Sequence, residues 1–302
     1  MEYRQLGRSD LWVSSIGLGG ATFGREIDEP AAYAVLDRAM ERGITLFDTA
    51  EAYSAGGSEA ILGRWIASRG VRDRIVVATK VAPPLNRERV IASAEASLRR
   101  LQVETIDLFQ LHSYDPRTPL EETLEALARL VREGKARYAG CSNFAAWQVC
   151  KALWRQDVQG WPRIESVQPV YNLALRDAGR ELLPLCADQE LGVITYSPLG
   201  AGFLTGKYRQ GEPVPPGTRF DIVPGHQDIY FNDAAFGAME RLRAKAAELG
   251  VPMAQLGLAW VLAQPGLTAT LIGARSPAQV DQAFDAAELA RSTRFQAILS
   301  TL

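Results

Sequence analysis

The sequence predicts an α/β protein, a (β/α)8 TIM barrel with an N-terminal β-hairpin and a long loop after strand seven. Two observations lead there. Eight times a short, nearly wholly apolar run is followed by an amphipathic helical segment of roughly 10 to 15 residues, the pattern of parallel strands buried on both faces. The rhythm breaks once, from Pro198 to Phe236, where Gly and Pro accumulate and no period survives. In a compact domain such a stretch more often serves an active site than fills space. An open doubly wound sheet alternates in the same way, but eight evenly spaced units in a mid-sized chain favour closure.

The elements follow in order. Tyr3 to Val13 reads as a hairpin turning at Gly7-Arg8-Ser9-Asp10. Ile16 to Gly20 is the first barrel strand, and Pro30 to Arg42 its helix, with Asp28 as cap, Pro30 in the first turn and Gly43 as the stop. Ile44 to Ala50 is the second strand, before a helix opened by Ser58. Ile75 to Lys80 precedes a helix from Arg87 to Leu101 with Val90, Ala94, Leu98 and Leu101 on one face. Ile106 to His112 pairs with Leu120 to Arg132, and Ala136 to Ser142 with Ala145 to Trp154. Val167 to Tyr171 leads to a helix from Gly179 to Gln189, and Gly192 to Ser197 is strand seven. Helices from Asp233 to Leu249 and Val251 to Leu262 return the chain to the barrel wall, and Ala269 to Gly273 with Pro277 to Ala287 form the last pair.

Composition narrows the function. A chain of 302 residues, 47% of them hydrophobic, buries roughly three quarters of its unfolded surface, so residues 1–302 are expected to form one domain. A net charge of -2 offers no basic footprint for nucleic acid. Cys141, Cys150 and Cys186 are odd in number and show no C-x-x-C spacing, and His112 and His226 are the only histidines, so neither disulfides nor a metal site is expected. Catalysis then falls to organic side chains or a cofactor. Glu2, Arg4, Arg8 and Asp10 interrupt any signal-peptide pattern, and no run approaches the roughly 20 apolar residues of a membrane span. The expected setting is cytoplasmic; nothing decides between monomer and homo-oligomer.

In such a barrel the reactive groups stand at the carboxyl ends of the strands. There the sequence places Asp48, with Tyr53 five residues on, then Lys80, His112, Ser142 with Asn143, Gln168 and Tyr196. Singly, each has a bland explanation: Asp48 can cap a turn, Lys80 can snorkel to water, and a lone histidine is commonly a structural hydrogen-bonder. Together an acid, a base, an imidazole and a phenol converge on adjacent strand ends. Reducing a carbonyl by hydride builds negative charge on its oxygen, which needs a donor and then a proton. Tyr53 is the proton donor in this reading; an adjacent Lys80 ammonium favours its phenolate, and Asp48 holds Lys80 charged. A neutral His112 orients the carbonyl oxygen. No serine has a G-x-S-x-G elbow, and Asp115 and Glu51 are only weak partners for Asp48 as a glycosidase pair.

Hydride must come from a cofactor. Gly17-Leu18-Gly19-Gly20 is not a G-x-G-x-x-G fingerprint, and a glycine cluster at a strand end more often reflects crowding. Ser197-Pro198-Leu199-Gly200-Ala201-Gly202, continuing to Lys207, offers N–H groups, hydroxyls and a cation for a diphosphate. Ile272-Gly273-Ala274-Arg275-Ser276 places Arg275 at the start of the last helix, where phosphate is favoured.

At these residues the sequence resembles the aldo-keto reductases, of a bacterial type similar also to potassium-channel β subunits. The match runs through Phe47-Asp48-Thr49-Ala50-Glu51-Ala52-Tyr53, Ala78-Thr79-Lys80, Asp107-Leu108-Phe109-Gln110-Leu111-His112, Gly140-Cys141-Ser142-Asn143-Phe144, Gln168-Pro169-Val170-Tyr171-Asn172, Tyr196-Ser197-Pro198-Leu199-Gly200 and Ile272-Gly273-Ala274-Arg275, in the family's order and over nearly the whole chain. The resemblance implies a tetrad of Asp48, Tyr53, Lys80 and His112. It implies that Ser142, Asn143 and Gln168 hold the nicotinamide carboxamide, with Tyr196 stacked on its ring. Ser197, Leu199 and Lys207 would lie along the diphosphate, and Arg275 would reach the 2'-phosphate of NADPH, preferred over NADH. Gly20, Pro198, Gly200, Gly202, Ile272, Gly273 and Ala274 complete the expected cofactor contacts. The last helix departs from the family: Glu-Asn in many members is Gln282-Ala283 here, after Gln279, which weakens the contacts expected at the adenine end. Substrate walls are expected near Phe23, Tyr53, Tyr114 and Arg219-Phe220.

The expected activity is NADPH-dependent reduction of an aldehyde or ketone. Two alternatives stay open: a nicotinamide-binding regulatory or sensor subunit with incidental turnover, and a sugar or polyol dehydrogenase working oxidatively.

Overall fold

In the computed structural model, which describes residues Met1 to Leu302, the strand β1 (Tyr3–Gln5) pairs antiparallel with β2 (Trp12–Ser14). Eight parallel strands then close on themselves: β3 (Ile16–Gly19), β4 (Leu46–Asp48), β5 (Val76–Val81), β6 (Ile106–Leu111), β7 (Ala136–Ser142), β8 (Ile164–Gln168), β9 (Gly192–Thr195) and β10 (Ala269–Ile272), which returns to β3. The predicted (β/α)8 barrel is the observed fold. Its outer wall begins with α1 (Glu29–Glu41), α2 (Gly57–Arg69), α3 (Arg87–Leu101), α4 (Leu120–Arg132), α5 (Ala146–Gln159) and α6 (Leu182–Asp188). Local signals set the helix starts: Asp28 accepts from the Ala31 N–H at 3.0 Å, and Asn86 from that of Arg89 at 2.9 Å. Gly43 follows α1 at φ 85°, a conformation that glycine reaches without a Cβ clash.

Side chains alternate across a strand, so each barrel strand sends every second residue inward. Leu46, Ala78, Leu108, Ile194 and Leu271 meet in one apolar layer near the amino-terminal end. The hairpin seals that end: Leu6, Leu11 and Val13 are buried against this layer. Gly7, at φ 58°, lets the plug approach so closely that a Cβ there would lie 2.4 Å from the Glu165 carbonyl oxygen. With one end plugged, polar side chains of the next inward layer are accessible only from the carboxyl ends of the strands.

Four readings need correction. The sixth barrel strand is Ile164–Gln168, three residues earlier than predicted, because Ser166 occupies an inward position in what reads as a polar interruption. Val170 and Tyr196 form only an isolated bridge beyond the ladders, so strand seven ends at Thr195. The segment after strand seven is also ordered. It contains two short 3-10 turns within Gly200–Thr205, kinked at the left-handed Ala201 and Gly202, then α7 (Arg219–Ile222) and α8 (His226–Tyr230), before α9 (Asp233–Leu249) and α10 (Met253–Leu262). Phe203, Tyr208, Phe220, Tyr230, Phe231 and Phe236 pack as one aromatic cluster, with Tyr208 and Phe220 stacked at 4.4 Å. These rings are irregularly spaced in sequence, so a period could not reveal them. From this segment Arg219 pairs with Glu26 in the loop after β3, which lays the segment over the barrel mouth. Finally α11 (Pro277–Arg291) is not last: α12 (Thr293–Leu299) follows it. No helix is long and apolar enough to cross a membrane.

Candidate functional site

Asp48 closes β4, Lys80 lies on β5, and His112 directly follows β6, its N–H bonded to the Val81 carbonyl at 2.8 Å. Lys80 is fully buried. Its ammonium donates to Asp48 Oδ1 and, at 2.9 Å, to the Thr49 carbonyl. Burial pulls the Lys80 ammonium down, but the charge of Asp48 and then Tyr53 outweigh it and hold the group above its ordinary value. Tyr53 follows a short loop from Asp48, and its ring centroid lies 5.1 Å from Lys80 Nζ. The next two residues, Ser54 and Ala55, take left-handed φ values of 52° and 51°, which cost on the order of 1 to 3 kcal/mol each. Ser54 Oγ donates to the Phe23 carbonyl at 2.8 Å, fastening this strained turn to the loop after β3. His112 meets the Tyr53 ring edge-on at 5.7 Å. The four predicted catalytic residues are thus brought together.

Burial, and then the charge of Lys80, push the His112 imidazole down to about 4, so it is neutral at pH 7. Its folded value lies below the ordinary 6.5, so the unfolded chain takes the proton first and stability falls as pH drops through the interval between them. Between pH 7 and pH 5 this group alone costs about 2 kcal/mol. Urea unfolding at the two pH values should show that loss in the parent, and correspondingly less loss in His112→Gln. Equal slopes would contradict the assigned burial.

Around the mouth, Asn143 turns the chain after β7 at φ 56° and donates to the His112 carbonyl at 2.9 Å. It accepts from Tyr196 Oη at 2.8 Å, while Ser142 Oγ donates to the Gln168 carbonyl at 2.7 Å. Gln168 Nε2 donates to Asp48 Oδ2 at 2.9 Å.

A cavity of about 690 Å³ runs from this cluster. Asp48, Tyr53, Gln168 and Tyr196 line it, as do Ser197, Pro198, Leu199, Gly202, Lys207, Ile272, Gly273, Arg275, Gln279 and Gln282. Lys80, His112, Ser142 and Asn143 stand behind or beside that wall rather than in it. Three further residues expected to touch the cofactor lie outside this lining. Gly20 backs onto Ser58 and Asp48, where a Cβ would meet Ser58 Oγ at 2.7 Å, and the wall comes instead from Gly19, Ala21 and Thr22. Ala274 is buried, its carbonyl accepting from Thr22, and Gly200 turns its Cα toward Tyr230. Of the expected substrate walls, Tyr53 and Arg219 line the cavity, whereas Phe23 and Phe220 are buried and Tyr114 packs on Phe144 and Trp147.

The cavity lining also carries two cations, Lys207 and Arg275, together with the carboxylate of Asp285. Neither Lys207 nor Arg275 has a carboxylate partner, and burial followed by the charge of Arg275 pulls the Lys207 ammonium down. Two unneutralised cations on one wall are an arrangement that a bound anion relieves. The first turn of α11 adds one uncapped N–H, that of Ala278, because Pro277 has none, the Gln279 N–H donates to the Ser276 carbonyl at 3.1 Å and Ser276 makes no side-chain bond to the helix.

Comparison with known proteins decides the family. The aldo/keto reductase family model matches residues 15–299. The chain belongs to the aldo/keto reductase family. An uncharacterized oxidoreductase, YrpG of Bacillus subtilis, is 37% identical over 96% of this chain and 92% of its own length. A probable voltage-gated potassium channel subunit beta of Arabidopsis thaliana is 34% identical over 96% and 92%. Aldo-keto reductase YhdN of Bacillus subtilis is 33% identical over 93% and 87%. Fold and membership together support oxidoreductase chemistry of the aldo/keto reductase type.

Sequence reasoning missed several residues of this aldo/keto reductase cavity. Thr22 and Glu26 line it from the loop after β3, and His226 and Gln255 from α8 and α10. Gln110, fully buried on β6, donates to Asp48 Oδ2 at 3.3 Å. The signal for Gln110 was present: it is the one polar side chain between Asp107 and His112, two residues before the histidine and so of inward parity. Glu51 and Asp115 are structural. Glu51 accepts from Ala82 N–H and Ser93 Oγ and pairs with Arg89, and Asp115 accepts from the N–H groups of Leu85 and Arg117.

Proposed function

We propose that the protein reduces an aldehyde or ketone to the alcohol with NADPH, Tyr53 supplying the proton. The observation that carries this reading is one cavity with a buried Asp48–Lys80 pair beside Tyr53 at one end and the unpaired cations Lys207 and Arg275 further along it. A reduced nicotinamide supplies the hydride, which no side chain can. The residues present fit such a group: the volume falls within the roughly 300 to 1000 Å³ of ligand sites, and Gln168 Oε1 faces this cavity wall without a donor from the protein.

The side chains divide the remaining work. Negative charge grows on the carbonyl oxygen as hydride arrives, and preorganised donors are worth most at that point. Tyr53 Oη donates its proton there. Lys80, held charged by Asp48, stabilises the phenolate left behind. His112 is neutral, so it contributes a hydrogen bond without a competing proton. Tyr196, its hydroxyl fixed through Asn143, adds an aromatic ring to the lining of the same cavity.

Arg275 and Lys207 are assigned to phosphate, so NADPH should bind at least about tenfold more tightly than NADH, and Arg275→Ala should erase that difference. Titrating both coenzymes by fluorescence measures it. Equal affinity in the parent, unchanged in the variant, removes the assigned contact. The likeness to channel subunits supports a rival reading, a nicotinamide-binding regulatory subunit. A panel of short and aromatic aldehydes, sugars and α-dicarbonyls separates the two. Turnover below about 0.1 per second on all of them favours the regulatory subunit over the enzyme, whose usual range is about 1 to 1000 per second.

A further inference from the structure

Asp48 has two carboxylate oxygens, and the tetrad uses one. Oδ1 takes the Lys80 ammonium. Oδ2 takes two amides, Gln168 Nε2 at 2.9 Å and Gln110 Nε2 at 3.3 Å. The amides also bond to each other, Gln168 Nε2 donating to Gln110 Oε1 at 3.3 Å. The direction of every bond follows from chemistry. A carboxylate only accepts, so both glutamines must turn their NH2 groups to it. Gln110 then has its oxygen left over, and this takes the second N–H of Gln168. Both N–H groups of Gln168 are consumed, which leaves its Oε1 as the atom free to meet a ligand.

The barrel makes room for this arrangement. Gln110 is paired in register with Lys80 on one side and Gly140 on the other. A Cβ at Gly140 would stand 3.2 Å from Gln110 Cγ and 2.4 Å from Ser166 Oγ, so the glycine leaves the space that the Gln110 side chain crosses.

We infer that Gln110 is a positioning residue that locks the Gln168 amide with its oxygen toward the cavity, and so makes the site select a nicotinamide ring bearing an N–H donor, the carboxamide. The inference rests on the coenzyme reading above. Without Gln110, the bond from Gln168 Nε2 to Asp48 Oδ2 remains, but the second N–H loses its acceptor inside the barrel, and the amide pivots about that one bond, so that this N–H as well as Oε1 reaches the ligand.

The test compares two coenzymes by equilibrium titration: NADPH, and the reduced 3-acetylpyridine analogue, whose methyl ketone accepts a hydrogen bond but donates none. The parent should prefer NADPH by at least about tenfold, the scale of one hydrogen bond to a fixed acceptor. Gln110→Met keeps the volume and removes both polar atoms, and its preference should fall below about threefold. A general loosening of the site would weaken both coenzymes alike and leave the ratio intact. Gln110→Glu provides a second reading in case the methionine variant does not fold. Its carboxylate still accepts from Gln168, so the coenzyme ratio should persist. It also faces Asp48 with a like charge, so the pH profile of coenzyme binding should gain a new acidic limb. An unchanged ratio in folded Gln110→Met, or a lost ratio in Gln110→Glu, overturns the role of Gln110 alone. A parent that binds NADPH without discriminating against the analogue overturns it as well. A parent that binds neither coenzyme overturns the functional reading itself.

Discussion

Tyr53→Phe should lower the single-turnover rate of hydride transfer by at least about 100-fold, with coenzyme bound, substrate saturating and coenzyme affinity nearly unchanged. The substitution removes one oxygen. The ring remains, and with it the edge contact to His112 at 5.7 Å and the neighbouring Lys80 ammonium. What disappears is the donor that faces the growing charge and the proton that completes the alcohol. A lost oxyanion donor costs about 3 to 4 kcal/mol, and general acid catalysis contributes roughly 100- to 10,000-fold, so the effect is far outside measurement error. If Tyr53 served only as an aromatic wall, the Michaelis constant would shift slightly and the maximal rate would survive. A Tyr53→Phe rate within threefold of the parent contradicts the assignment and leaves His112 as the proton donor to test.

Lys80→Met should damage both stability and turnover. Lys80 and Asp48 are buried together, and taking away the ammonium leaves a carboxylate in the barrel with only the two glutamine amides for partners. Breaking a buried pair in this way costs about 3 to 5 kcal/mol. The same change strips Tyr53 of its polarising charge, so turnover should fall by a factor comparable to that of Tyr53→Phe. Adding Asp48→Asn to Lys80→Met should recover part of the stability, because a neutral amide tolerates burial better than an unpaired charge, but none of the turnover. The pH dependence has a definite sign. The folded value of Lys80 is raised above its ordinary 10.5, so its stabilisation is complete below that value and is lost as pH rises through the folded one. The parent should therefore show an alkaline loss of stability that Lys80→Met lacks. Denaturant unfolding from pH 7 to pH 11 measures both effects, and a variant as stable as the parent would show that the pair is solvated.

Much of this site was legible because a closed barrel converts sequence order into position. Asp48 ends an apolar strand, Lys80 is the last residue but one of the next and His112 directly follows the third, and neighbouring strands force neighbouring ends together. Helix limits set by strong local chemistry were also legible: the helices Arg87–Leu101, Leu120–Arg132 and Asp233–Leu249 begin and end as read, the first and last with Asn86 and Asn232 as caps. What stayed hidden was tertiary. Glu165 and Ser166 disguise the start of β8, since Ser166 turns into a partly polar barrel layer and Glu165 accepts from the Arg8 N–H of the hairpin. The aromatic cluster that orders residues 200–236 has no period. Gln110 was passed over as one polar residue in an apolar strand, although its parity with Lys80 places it in the same layer. Glu26 and Arg219 are far apart in sequence, and their pairing across the mouth depends on the folded path of two loops.

The most direct test of the account is where the hydrogens go. The protein is incubated with NADPH carrying deuterium as the transferable hydrogen at C4 of the nicotinamide and with each aldehyde of the panel, and the alcohol formed is analysed by mass spectrometry and NMR. The account predicts deuterium on the carbinol carbon of the product and solvent hydrogen on its oxygen, at turnover above about 0.1 per second for at least one substrate. Alcohol without deuterium on carbon, or no alcohol from any compound while NADPH remains tightly bound, would contradict it.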